Sequence, residues 1–183
     1  ADFDDLVQEA AKVPPGSEGV TFLPYLTGER TPHADANARG VFFGMHGGVG
    51  RAHMTRAVME GVSFALKDSL SLITALGVNS IGAVAVGGGA GSPTWLQMLS
   101  DVLELPIRTV GPSEGAPLGA AMLAAVGAGA FTNAVEVGGA WLTDLDSLEP
   151  VASVHGVKDA YAVAYERYRA LYPALRDTFE KSV

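Results

Sequence analysis

One stretch near the middle of the chain constrains the fold most: VAVGGGAGSPTWLQMLSDVL, Val84 to Leu103. An apolar run ends at Val86, a burst of glycine follows, and Ser-Pro opens a segment with apolar residues at helical spacing. Ser92 has the side chain of an N-cap, and Pro93 suits the first helical position, where its missing N–H costs nothing. The spacing predicts a helix from Pro93 to Leu105 with Leu96, Leu99, Val102 and Leu103 on its apolar face. A strand at Ile107 to Val110 and a helix of small residues at Pro117 to Val126 complete a βαβα order. Ile81 to Val86 is apolar without alternation, the pattern of a strand buried inside a parallel sheet. The chain is therefore read as α/β, with 183 residues sufficient for a single domain.

The turn itself suggests chemistry. In open α/β sheets, ligands gather where strands end and helices begin. Glycine has no Cβ and reaches positive φ, so the backbone comes close to a phosphate or a purine face, and the helix N-terminus adds N–H groups and partial positive charge. Close packing of strand on helix accounts for a glycine turn as well. GGGAGS has Ser92 where a dinucleotide fingerprint has its last glycine, and IRTV ends without an acidic residue for a ribose. GxxxxGK[ST] occurs nowhere, which excludes a P-loop.

On the N-terminal side, Asp2 to Lys12 has helical spacing and ends at Pro14-Pro15-Gly16. VTFLPYL, Val20 to Leu26, is a short apolar run that Pro24 confines to an edge or interrupts. TGERTPHADANARG is a polar loop of the length that tends to be functional, and Gly40 to Gly44 reads as a brief strand. From His53 to Leu76, Met54, Ala57, Val58, Gly61, Val62, Ala65, Leu72, Ile73 and Leu76 form one stripe of a long helix stopped by Gly77. Residues 127–150 carry no assignable pattern. Tyr161, Tyr165, Tyr168 and Tyr172 lie on one face of a C-terminal helix with Pro173 near its end, a stripe read as packing.

Composition narrows the function classes. A net charge of −8 and a pI near 4.8 leave no basic patch for nucleic acid or a membrane surface. The absence of cysteine excludes disulfides, thiolate metal sites and a cysteine nucleophile. With an acidic N-terminus and no long apolar run, the chain is expected to be soluble, untargeted and cytoplasmic. It opens with Ala inside a helical pattern, as an excised piece would. His33, His46, His53 and His155 are too scattered to suggest a metal site.

Three stretches together resemble a known family. They are FLPYLTGERTPHADANARG (Phe22 to Gly40), GVFFGMHGGVGRAHMTRAVMEG (Gly40 to Gly61, with Gly44, His53, Ala57 and Glu60 in signature positions), and VGGGAGSPTWLQMLSDVL followed by EGAPLGAAMLAAVGAG to Gly129. Their order and spacing are similar to those of the C-terminal half of the FGGY carbohydrate kinases, most specifically the xylulokinase-like members.

The resemblance implies a ribonuclease-H-like, actin-like ATPase domain. Residues 1–183 would form a single ATP-binding domain, incomplete at its N-terminus, of a larger two-domain enzyme. Carried over, Gly88, Gly89 and Ala90 lie against the nucleotide with Ser92 beside them, while Gly87 serves the turn. The implied reaction moves the γ-phosphoryl group of ATP, with Mg2+, to a ketopentose such as D-xylulose. That requires a general base, magnesium on the phosphates and donors for the transferred charge. The family places its catalytic Asp and most sugar contacts upstream, so no catalytic residue and no metal ligand is assigned here. Glu29, Asp35, Asp101 and Glu114 are acidic residues considered as a base and set aside, and the GERTPH loop is expected to shape the cleft or the domain interface, the competing reading being that Glu29, Arg30 and Arg39 simply form ion pairs. A homodimer is an expected assembly. A kinase for another ketose or polyol, and a non-catalytic actin-like module, are the alternatives.

Overall fold

The first helix shows how locally the sequence specifies its elements. Helix α1 (Phe3–Ala10) begins with a reciprocal cap in which Asp2 accepts the Asp5 N–H and Asp5 accepts the Asp2 N–H. A computed structural model of the chain describes residues 2–109, 115–142, 146–148 and 156–181. Strands β1 (Thr21–Leu23) and β2 (Val41–Phe43) pair antiparallel across the polar loop, and the 25-residue helix α2 (Arg51–Ala75) follows. Strand β3 (Ala83–Ala85), helix α3 (Pro93–Leu103) and strand β4 (Ile107–Thr109) form the βαβ unit, with β3 and β4 parallel. Helices α4 (Gly115–Gly127) and α5 (Ala134–Trp141) then precede strand β5 (Asp146–Leu148), which adds antiparallel to β4, and helix α6 (Val157–Glu180) closes the described chain.

Helix α2 is the organising element, packed against α1, β1, α3 and α6. The predicted helix is present, but its buried face is not the predicted stripe. Arg56, Ala57, Met59, Glu60, Gly61, Ser63, Phe64 and Asp68 are buried, whereas Leu72 and Ile73 are half exposed and Leu76 is exposed. Hydropathy misses this face because three of its residues are charged, and burial is sustained by pairing rather than by apolar character. Arg56 donates to the Glu60 carboxylate at 2.7 Å, to the Tyr161 hydroxyl at 2.8 Å and to the Ala10 carbonyl at 3.3 Å; the Gly16 N–H completes the set at 2.9 Å from Glu60. This network fastens α2 to α1, to the turn at Gly16 and to α6.

Close approach of α2 to β1 depends on Gly61, where an added Cβ would fall inside the contact distance of the Phe22 carbonyl oxygen. Gly→Ala inside a helix usually gains up to about 1 kcal/mol. Here Gly61→Ala is expected to cost about 1–3 kcal/mol, because two backbones must separate. Denaturant unfolding of the two proteins measures the sign directly.

Four tyrosines of α6 line the core as the stripe predicts: Tyr161, Tyr165, Tyr168 and Tyr172 are all buried, grouped around Phe64 and Tyr25. Pro173 does not end this helix, which continues to Glu180; the proline ring lies on the exposed side. Residues 127–150 contain a helix that composition concealed. Asn133 caps α5 by accepting the N–H groups of Val135 and Glu136, and Val137 is fully buried.

The expectation that Ile81 to Val86 is buried is overturned. Among the described residues, strand β3 pairs with β4 on one side only, and Ile81 and Val84 are 93% and 52% exposed. Among the described residues, no helix is long and apolar enough to cross a membrane.

Candidate nucleotide-binding turn

Between β3 and α3 the chain makes one turn of 3-10 helix, Gly88–Gly91. It is entered through Gly87 at φ 90°, ψ −174°, a conformation that a side chain would oppose. The Ala90 N–H closes on the Gly87 carbonyl at 3.0 Å and the Ser92 N–H on the Gly89 carbonyl at 3.2 Å. Gly88, Gly89, Ala90 and Ser92 are thus gathered in one structural unit, but they differ in what they present.

At Gly88 a Cβ would meet nothing within 4 Å, so this position opens outward. At Gly89 a Cβ would lie 3.0 Å from the indole ring of Trp95; the missing side chain there accommodates the protein's own aromatic residue. Ala90 is buried against Leu96 and Ile107. Ser92 is also buried, and its Oγ accepts the Trp95 N–H at 3.3 Å, which caps α3 as predicted.

The cap alters what the helix N-terminus can offer. Pro93 has no N–H and that of Trp95 is already taken, so α3 presents fewer free donors to an anion than a bare helix start. The adjoining surface is apolar. A cavity of about 290 Å³ beside the turn is lined by Val62 and Leu66 of α2, Val84 to Val86, Gly89, Ala90, Trp95 and Leu99. Backbone edges above an apolar floor suit the flat face of a heteroaromatic base better than a phosphate group.

Trp95 was not singled out by sequence reasoning, although it stands three residues after the cap. Its indole Nε1–H is buried without a hydrogen-bond partner among the described residues. The start of α4 reaches the same edge, where a Cβ on Gly115 would lie 2.9 Å from that of Val86.

The acidic residues set aside as bases have structural engagements. Asp35 accepts the Asn37 N–H and the Tyr172 hydroxyl at 2.8 and 3.0 Å, contacts that hold its carboxyl below the usual range. Asp101 accepts from Gln97 on the same helix, Glu29 accepts the Thr31 N–H, and Glu114 lies outside the described residues. The expected ion pairs of the polar loop are not formed: Arg39 instead donates to the carbonyls of Ala36 and Ala38. These short-range caps fold the loop on itself, and stacking of His33 on Tyr172, centroids 3.6 Å apart, joins it to α6. His53 accepts the Gly50 N–H and meets Glu18 at 3.0 Å, His46 accepts the Gly48 N–H, and His155 lies outside the described residues.

Comparison with known proteins decides the family. Residues 2–128 match the C-terminal domain of the FGGY family of carbohydrate kinases. The chain belongs to that family. Xylulose kinase of Bacillus subtilis (strain 168) is 36% identical over 175 residues, a match that covers 96% of this chain and 34% of the relative. Xylulose kinase of Escherichia coli (strain K12) is 39% identical over 178 residues, again 96% and 34%. Among solved structures, ligand-bound xylulose kinase from Lactobacillus acidophilus superposes with a TM-score of 0.84 at 31% identity, covering 98% of this chain and 36% of that one. This FGGY chain therefore spans about a third of the length of the curated relatives it matches.

Proposed function

We propose that this FGGY chain is the nucleotide-binding part of an ATP-dependent sugar kinase that phosphorylates D-xylulose or a closely similar ketopentose. The observation that carries the reading is the turn at Gly88. It is open at the carboxyl end of β3, beside an apolar recess, in a chain whose relatives carry the name xylulose kinase.

In this reading the backbone of Gly88 and Gly89 lies against the adenosine portion of ATP. Trp95 and Ala90 hold the turn from beneath, and Ser92 fixes the start of α3. Magnesium enters bound to the triphosphate; the described residues contain no group of three or more metal-ligating side chains. The hydroxyl-activating base and most sugar contacts come from the part of the enzyme outside this chain. The reaction takes place in the cytoplasm, where ATP is supplied.

The choice of variant follows from the packing. A bulky residue at Gly89 would collide with Trp95 and disturb the fold, whereas Gly88 faces open space. Gly88→Val in the full-length enzyme is expected to weaken MgATP binding at least about tenfold, roughly 1.4 kcal/mol, with the melting temperature unchanged. Calorimetric titration with MgATP tests this, and unchanged affinity refutes the assignment. A panel of ketoses and polyols supplied to the full-length enzyme identifies the sugar, and the 183-residue chain alone is expected to show no sugar-dependent ATP turnover.

A further inference from the structure

A cavity of about 340 Å³ lies between the polar loop, the C-terminal half of α2 and helix α6. None of its lining residues lines the recess beside the glycine turn. Its wall combines tyrosine rings with three polar side chains from three elements: His33 of the loop, Asp68 of α2 and Arg169 of α6. Neither the glycine turn nor the buried Arg56 and Glu60 network uses any of them.

Each of these groups keeps hydrogen-bonding capacity to spare. Asp68 is buried, and its Oδ1 accepts the Tyr165 hydroxyl at 2.5 Å, while Oδ2 has no hydrogen-bond partner among the described residues. Tyr25 and Tyr168 share one hydrogen bond at 3.0 Å, which uses one of their two hydroxyl hydrogens. The other hydrogen has no acceptor among the described residues, although both side chains are buried. Stacking on Tyr172 fixes the His33 ring, yet neither ring nitrogen is hydrogen-bonded among the described residues. Burial lowers the His33 pKa, so near pH 7 the ring is neutral and offers one donor and one acceptor. The Arg169 guanidinium lies over the Tyr165 ring, and its Nε stops 3.9 Å from Asp68 Oδ1, too far for a hydrogen bond. Buried polar groups left in this state are costly unless something completes them.

The geometry points to a binding site in this cavity for a small neutral polyhydroxylated molecule, a sugar or sugar alcohol of about five or six carbons. A hydroxyl group both donates and accepts, so one hydroxyl of the ligand can donate to Asp68 Oδ2 and accept from Arg169. The tyrosine rings supply the apolar surface that the C–H face of such a molecule covers. Charge selects against other ligands. An amine would compete with Arg169 for the carboxylate, and an anion would have to lie beside Asp68. The site rests on this cavity alone and stands or falls independently of the nucleotide reading.

Tyr172 lines the cavity and serves as the reporter. With 3-fluorotyrosine placed at Tyr172 in the full-length enzyme, titration with xylitol is expected to shift the fluorine resonance saturably, with millimolar affinity or tighter. Arg169 has an exposed side chain, so Arg169→Met is expected to leave the melting temperature unchanged while weakening xylitol binding at least about tenfold. A resonance that stays in place in the folded enzyme overturns the inference, and so does equal affinity in Arg169→Met. Tighter binding of putrescine or of D-xylonate than of xylitol overturns the choice of a neutral ligand.

Discussion

Arg56→Met is expected to lower folding stability by about 3–5 kcal/mol near neutral pH, the usual cost of stripping one partner from a buried ion pair. Arg56 and Glu60 are 6% and 2% exposed, and among the described residues the guanidinium is the only cation in hydrogen-bonding contact with the Glu60 carboxylate. Its removal leaves that carboxylate with the Gly16 N–H and takes the guanidinium donor from the Tyr161 hydroxyl, while the Ala10 carbonyl keeps the Val13 N–H at 3.1 Å.

The pH dependence of the variant has a defined sign. Burial already raises the Glu60 pKa above its ordinary 4.5, against the opposing pull of Arg56, and removal of Arg56 raises it further. The folded variant then binds a proton more readily than the unfolded chain. Its loss of stability is therefore smallest below about pH 4.5 and grows as pH rises through the folded pKa. Urea unfolding at about pH 5 and pH 8 measures this, and Arg56→Met/Glu60→Leu is expected to recover most of the loss. A single variant within about 0.5 kcal/mol of the parent at pH 8 overturns the assignment of the network as structural.

Alkaline unfolding is expected to be steep and cooperative. All five tyrosines of the chain are buried. Burial pushes the hydroxyls of Tyr25 and Tyr165 up to about 12, and raises those of Tyr161, Tyr168 and Tyr172 as well. The unfolded chain ionises its tyrosines near pH 10, so above that pH the folded state holds more protons and loses stability as pH rises. Each tyrosine contributes up to about 1.4 kcal/mol per pH unit, so Tyr25 and Tyr165 alone remove roughly 5 kcal/mol between pH 10 and 12. Tyrosinate absorbance should therefore appear together with the loss of helical circular dichroism. Smooth titration of the phenols at pH 10 with helix content intact contradicts the buried network.

What could be read from the sequence was local. The Ser92 cap, Pro93 at a helix start and the tyrosine stripe each follow from interactions within a few residues, and each is present in the structure. The glycine turn was legible as a βα turn. Its division into an open Gly88 and a packed Gly89 was not, because Trp95 reaches back from α3 to fill the space beside Gly89. The buried face of α2 was hidden for a different reason. Hydropathy counts Arg56, Glu60 and Asp68 as surface residues, and only partners distant in sequence make their burial tolerable: Tyr161 for Arg56, Gly16 for Glu60 and Tyr165 for Asp68. Helix α5 was concealed by glycine, although Asn133 followed by Glu136 was an available start signal.

The sequence by itself determined the family, the βαβ order and the position of the turn, since these rest on short motifs and on periodicity along the chain. Tertiary structure alone decided which glycine is open, which charges lie in the core and which apolar strand is left uncovered. Those properties depend on what lies across space from a residue, and a linear pattern carries no information about a partner a hundred residues away.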